Sequence, residues 1–145
     1  MISSITELDT NKIVLLGTIL HENFESLYKY SDLNDGVNET YKYVLNGELI
    51  GFIHIQNLVD EISIIDIVVE DNFRHQGFGS KLLEYILNKY SNKRFILEVS
   101  INNDNAIYLY KKFGFETINI RKNYMHDTDA FVMEKKWYLW RMCTY

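Results

Sequence analysis

Ile62 to Val69 is a run of mostly branched, apolar side chains that leads through Glu70-Asp71-Asn72-Phe73-Arg74-His75-Gln76 into Gly77-Phe78-Gly79-Ser80. β-branched composition of this kind predicts a central strand covered on both faces. Beyond the glycines, Leu82, Leu83, Ile86 and Leu87 recur at three- and four-residue spacing, which predicts a helix from about Gly77 to Tyr90 lying against a sheet. Strand, glycine turn and amphipathic helix in that order commit the chain to a mixed α and β fold. The turn also carries chemistry. The first N–H groups of a helix have no intrahelical partners and the helix dipole adds partial positive charge, so the Gln76 to Ser80 turn suits an anion such as a pyrophosphate. Gly77 and Gly79 have no Cβ to keep phosphates away. Taken alone, a G-x-G turn more commonly marks only a tight connection.

The remaining segments extend the mixed pattern. Asp9 and Thr10 are suited to cap a helix over Asn11 to His21, with Ile13, Leu16 and Leu20 on one face, and Glu25 to Tyr30 reads as a second helix. Thr40 to Leu45 and Leu49 to Ile55 flank Asn46-Gly47, the signature of a type I′ hairpin. Arg94 to Val99 is a further strand, Asn103 to Phe113 a helix ended by Gly114, and Phe115 to Arg121 and Ala130 to Glu134 two more strands. No repeat or linker interrupts the 145 residues, so one domain over residues 1–145 is expected.

Composition narrows the function. A net charge of −5 without a Lys/Arg cluster disfavours direct nucleic-acid binding. The apolar run Ile13 to Leu20 is broken by Gly17 and Thr18 and is too short to span a bilayer, so no membrane segment is expected. Cys143 has no second cysteine to pair with, and the start of the chain lacks signal-peptide features, so the cytoplasm is the expected compartment. No metal-ligating cluster is read.

Two further stretches bear reactive side chains. Leu97-Glu98-Val99 sets a carboxylate inside an apolar strand, where a charge needs a partner or a task; simple alternation would instead turn Glu98 to solvent. In Asn103-Asp104-Asn105-Ala106-Ile107-Tyr108-Leu109-Tyr110, Asn103 and Tyr110 stand two helical turns apart and are expected on one face, although a helical Tyr is more often simply packed.

In this order and spacing, these segments resemble the GNAT superfamily of acetyltransferases, and within it the bacterial ribosomal-protein alanine N-acetyltransferases. The family's signature is Gln or Arg, two residues, Gly, one residue, then Gly or Ala; Arg74, Gly77 and Gly79 meet it directly after a strand. Leu97-Glu98-Val99, the Asn103 to Tyr110 segment, Phe113-Gly114-Phe115-Glu116 and Arg121-Lys122-Asn123-Tyr124 look like the same subgroup. The likeness covers roughly residues 40 to 136, leaving a divergent helical region over 1–39 and an aromatic tail over 137–145. It implies a mixed, mostly antiparallel sheet flanked by helices, with a V-shaped splay between two central parallel strands.

The resemblance also implies roles. Acetyl-CoA is the co-substrate, with no metal. The backbone of Ile67, Val68 and Val69 would pair with the pantetheine arm, the Val69 N–H would polarise the thioester carbonyl, His75, Gln76, Gly77, Phe78, Gly79 and Ser80 would hold the pyrophosphate, and Arg74 of the signature would belong to the same coenzyme site. Asn103 would contact the coenzyme arm. Glu98 matches the general base, Tyr110 the general acid, and Tyr124 a residue gripping a peptide acceptor. An α-amine with pKa near ~8 is partly neutral at physiological pH, whereas lysine near ~10.4 seldom is. An α-amine therefore needs less help, and the resemblance, through Tyr124, implies a protein N-terminus, such as that of a ribosomal protein, as the acceptor. A small amine as acceptor, and a non-catalytic acetyl-CoA-binding module, are the competing readings; the assembly is expected to be a monomer or homodimer.

Overall fold

The computed structural model describes residues 1–20, 30–125 and 128–136. Its elements run β1 (Ile2–Ser4), α1 (Thr10–Leu20), α2 (Tyr30–Leu33), β2 (Asn38–Leu45), β3 (Glu48–Asn57), β4 (Glu61–Val69), α3 (Phe78–Lys89), β5 (Arg94–Ser100), α4 (Asp104–Lys112), β6 (Glu116–Met125) and β7 (Thr128–Lys135). Short 3-10 helices at Glu7–Asp9 and Asp71–Phe73 precede α1 and α3. The expected helix at Glu25 to Tyr30 lies outside the described residues except for Tyr30, and the tail from Trp137 to Tyr145 lies outside them entirely.

The strands form a seven-stranded mixed sheet in the order β1-β2-β3-β4-β5-β7-β6. β4 and β5 are parallel, pairing Glu61↔Arg94 to Ile64↔Leu97, and the pairs β1–β2, β2–β3, β5–β7 and β6–β7 are antiparallel. The parallel ladder runs from Glu61↔Arg94 to Ile64↔Leu97, while β4 itself continues to Val69 and β5 to Ser100.

By contact density the chain divides into two compact units, Met1–Asn57 with Ile65–Lys89, and Leu58–Ile64 with Tyr90–Tyr145. In the first, α1 and α3 both pack on β3, which is buried without a break from Leu49 to Ile55. Continuous burial means both strand faces are covered. β3, not β4, therefore takes the doubly covered place expected for Ile62 to Val69: along β4 only Ile62, Ile64 and Val68 are buried, and Ile65 is 37% exposed. Ile5, Ile13, Leu16, Leu33, Leu49, Phe52 and Val68 form one apolar cluster. The Asn46-Gly47 turn has φ of 52° and 80°, as a type I′ hairpin demands. Asp9, expected to cap α1, closes the preceding 3-10 helix: its carboxylate accepts from the Thr6 N–H at 2.7 Å and pairs with Lys42 at 2.8 Å. Burial pushes the Asp9 carboxyl up, but Lys42 and the Thr6 N–H outweigh it and hold it below the ordinary carboxylate range.

In the second unit, Phe95, Leu97 and Val99 are buried on one face of β5 while Arg94, Ile96, Glu98 and Ser100 alternate onto the other. Met133, opposite Leu97, and Phe115 join the buried side chains. Arg94 links three strands, pairing with Glu61 of β4 at 2.8 Å and with Glu134 of β7 at 2.6 Å. Burial pushes the Glu134 carboxyl up, yet the hydrogen bond and charge of Arg94 leave it below its ordinary range.

Candidate active site

The end of β4 and the start of α3 form the first group of expected residues, all within the first unit. Val68 is 1% exposed, and Ile67 and Val69 are half-buried. β3 approaches β4 so closely here that a Cβ on Gly51 would stand 2.7 Å from the Val68 carbonyl oxygen, so only glycine fits. The Glu70 N–H donates to the Ile50 carbonyl at 2.8 Å, fixing the strand at its last residue. Arg74 then folds back. Its Nε donates to the Val69 carbonyl at 3.1 Å, and its Nη2 pairs with Asp71 at 2.9 Å. The guanidinium therefore braces the turn onto the strand.

After Arg74 the chain reverses hand twice: His75 has φ +59° and Gly77 has φ +87°. Gly77 would meet nothing within 4 Å if it carried a Cβ, so the positive φ, not space, requires glycine. The turn is open: His75, Gln76 and Gly77 are exposed and Phe78, Gly79 and Ser80 half-buried. The first helical hydrogen bond is Lys81 N–H to Gly77 C=O at 3.0 Å, so the N–H groups of Phe78, Gly79 and Ser80 precede the i to i−4 ladder of α3, and Gly77 has no side chain with which to cap them. The Phe78 ring stands edge-on to Tyr43 at 4.9 Å and lies 6.2 Å from Phe73, anchoring the helix start. Lys81 places an ammonium on the first turn, 5.3 Å from the Phe78 ring. A helix start with leading N–H groups and no cap side chain can receive an anion, which is the chemistry a pyrophosphate would need here.

Glu98, Asn103 and Tyr110 all lie in the second unit. Glu98 follows the alternation of β5 and is half-buried on the face opposite Leu97 and Val99. It is not alone there: Arg121 of β6 reaches both carboxylate oxygens from Nη1, at 3.0 and 2.9 Å. Asn103 is the N-cap of α4, exposed, and its side-chain oxygen accepts from the Ala106 N–H at 3.3 Å, because Asn at this position satisfies a helix donor.

Tyr110 is 8% exposed and is held by the way α4 ends. The Phe115 N–H donates to the Tyr110 carbonyl at 3.1 Å and the Gly114 N–H to Lys111 at 3.0 Å, with Gly114 at φ +91°. That is a Schellman closure, and its usual apolar contact is made here by the Tyr110 and Phe115 rings at 5.6 Å. Lys135 adds a bond to the Phe113 carbonyl at 2.6 Å.

The main chain of Tyr124 lies in β6, where pairing with β7 shifts register between Arg121 and Met125; its side chain is outside the described residues. Arg121, Asp129, Gly51 and Lys81 were not singled out by sequence reasoning, since each acquires its place through a partner distant in sequence or through packing. Only the lone glycine inside the β3 pattern gave a local sign, of a bulge or close backbone approach. Among the described residues no group of three His, Cys, Asp or Glu side chains is placed to share a metal ion, and no helix is long and apolar enough to cross a membrane.

Comparison with known proteins agrees with this layout. The model of the Acetyltransferase (GNAT) family matches residues 12–115. An N-alpha-acetyltransferase of Sulfolobus acidocaldarius is 31% identical over 143 residues, covering 86% of this chain and 85% of that protein. The ribosomal protein bS18-alanine N-acetyltransferase of Escherichia coli is 33% identical over 93 residues, 62% of this chain and 63% of that protein. The crystal structure of the ribosomal-protein-S18-alanine N-acetyltransferase from Escherichia coli superposes with a TM-score of 0.77 at 26% identity, covering 92% of this chain and 91% of that one. With the family model matched across strand, glycine turn and both site helices, the chain belongs to the GNAT family of acetyltransferases.

Proposed function

We propose that this protein, acting as a single domain, transfers the acetyl group of acetyl-CoA to the α-amine of a protein N-terminus, a ribosomal protein being the favoured acceptor class. An α-amine is supported by the Sulfolobus acidocaldarius N-alpha-acetyltransferase, matched over 86% of this chain. The observation that carries the mechanism is the open, uncapped start of α3 joined by Arg74 to the last carbonyl of β4.

In this reading the Phe78 to Ser80 amides receive the pyrophosphate, and the β4 main chain from Ile67 to Val69 receives the pantetheine arm beyond the end of the β4–β5 ladder. The Val69 N–H donates to the thioester carbonyl and stabilises the oxyanion formed on attack. Glu98 takes a proton from the incoming ammonium, so the free amine bonds to the carbonyl carbon. As the carbon–sulfur bond breaks, the Tyr110 hydroxyl supplies a proton to the departing thiolate, a transfer only modestly uphill between a phenol near ~10 and a thiol near ~8.5, and the second proton shed by the attacking nitrogen returns the phenolate to phenol. Glu98 must release Arg121 to receive its proton, and a cationic acceptor is the natural replacement for the guanidinium. The products are an N-acetyl peptide and coenzyme A, with no covalent enzyme intermediate.

Steady-state rates on a panel test the acceptor: peptides beginning with Ala, Ser or Met against a polyamine, an aminoglycoside and a free amino acid. Peptides are expected to give the higher kcat/KM. Faster turnover of any small amine would replace this reading with a small-molecule acetyltransferase.

A further inference from the structure

Resting on the peptide reading above, we infer that Asp129 is a positioning residue for peptide acceptors, acting through the β6 bulge that contains Tyr124. β6 leaves register with β7 between Arg121 and Met125, and within that stretch Asn123 takes φ +53°, a left-handed conformation that Asn tolerates better than most residues. Such a conformation persists only where its surroundings hold it. Asp129 does the holding. One carboxylate oxygen accepts from the Asn123 N–H at 3.1 Å and the other from Lys122 Nζ at 3.0 Å, so both arms of one side chain grip consecutive residues of the bulge. Lys122 and the Asn123 N–H together hold the Asp129 carboxyl below its ordinary range. The main chain of Asp129 is fixed separately, its carbonyl accepting from the Ile101 N–H at 3.1 Å, so a side-chain change leaves that anchor in place.

A bulge bends the strand that carries it. Tyr124, which the family resemblance implies as a contact to a peptide acceptor, has its main chain within this one. On the N-terminal side stands Arg121, paired with Glu98. Asp129 thus sets the course of the strand between the proposed base's partner and the proposed peptide contact, while Asn123 and Lys122 themselves are exposed and contribute no core packing.

Kinetics of the full chain with a peptide beginning in Ala and with acetyl-CoA test this. Asp129→Ala is expected to raise the peptide KM about tenfold while the KM for acetyl-CoA stays within about twofold, the size of effect that losing a charge-assisted hydrogen bond carries. Asp129→Asn keeps an acceptor for the Asn123 N–H and is expected to recover most of the peptide KM. Asn123→Val, which a β-branched side chain bars from positive φ, is expected to repeat the Asp129→Ala defect. Peptide KM unchanged in Asp129→Ala and Asn123→Val overturns the inference, as does a parallel loss of acetyl-CoA affinity, kcat and thermal stability, which would mark a purely structural residue. A wild-type chain that acetylates small amines but no peptide overturns the peptide reading itself, and this inference with it.

Discussion

Arg74 Nε lies 3.1 Å from the carbonyl oxygen of Val69, so the arginine of the family signature is tied to the very residue whose amide is proposed to face the thioester. The arginine joins strand and turn, bonding Val69 and Asp71 at once. Arg74→Gln should therefore weaken acetyl-CoA binding about tenfold, as expected for one charge-assisted hydrogen bond, and Arg74→Lys should fail to restore it because a single ammonium cannot hold Val69 and Asp71 in the same planar fork. Titration calorimetry with coenzyme A reads the effect; full rescue by lysine would mean that charge alone matters.

Gly51 and Val68 make the same stretch of β4 sensitive from its other side. A Cβ 2.7 Å from the Val68 carbonyl oxygen meets backbone, which cannot swing away as a side chain does. Gly51→Ala should displace β4 and cost both thermal stability and coenzyme affinity, by roughly 1–3 kcal/mol of overpacking. An alanine variant with unchanged melting temperature and unchanged coenzyme binding would refute the close approach.

Tyr110 and Glu98 should separate chemistry from binding. Tyr110→Phe keeps the ring against Phe115 and Glu98→Gln keeps shape and size, so each should lower kcat by about 10²-fold or more with coenzyme affinity unchanged. Gly114→Val bars the φ of +91° that closes α4 and should reproduce the Tyr110→Phe loss of kcat while also destabilising the fold by ~1–2 kcal/mol. Equal loss of kcat and coenzyme affinity in the conservative variants would make both residues structural.

His54 gives the fold an acid limit. It is 4% exposed on β3, with Nε2 2.9 Å from Asn38 Oδ1. Burial pushes its pKa below the ordinary value, against the opposing charges of Asp66 and Asp35. A base depressed in the folded state contributes stability that is present above its unfolded pKa of about 6.5 and is lost as pH falls through the folded value. Asp9 and Glu134, depressed as carboxylates, add losses at lower pH still. Thermal melts should show wild type losing more stability than His54→Gln between pH 7.5 and pH 5, and identical losses would exclude His54 as a source (roughly this window follows from the unfolded value).

Much of the layout was legible because it is written locally. Asn46-Gly47 carries its own turn, Gly114 its own helix stop, and the leucine spacing of α3 its buried face. What escaped is set by contacts across the chain. Ile2–Ser4 has too few residues for a period and becomes a strand only by pairing Ile2↔Tyr43 through Ser4↔Tyr41. Asn103 reads in the sequence as a member of the Tyr110 helix; that it caps α4 and gives its side-chain oxygen to the Ala106 N–H depends on where α4 begins. Glu98 was visible as a charge in an apolar strand; that Arg121 would hold it depended on β7 lying between β5 and β6. The double burial of β3 in place of β4 likewise reflects where α1 and α3 land, which no strand states by itself.

Tandem mass spectrometry bears most directly on the whole account, using a peptide that begins with Ala and contains one internal Lys, incubated with acetyl-CoA and the full chain. The account predicts a single acetyl group on the α-amine, with none after Glu98→Gln over the same interval. Acetylation confined to the lysine side chain, or a peptide left unmodified while small amines are consumed, would contradict it.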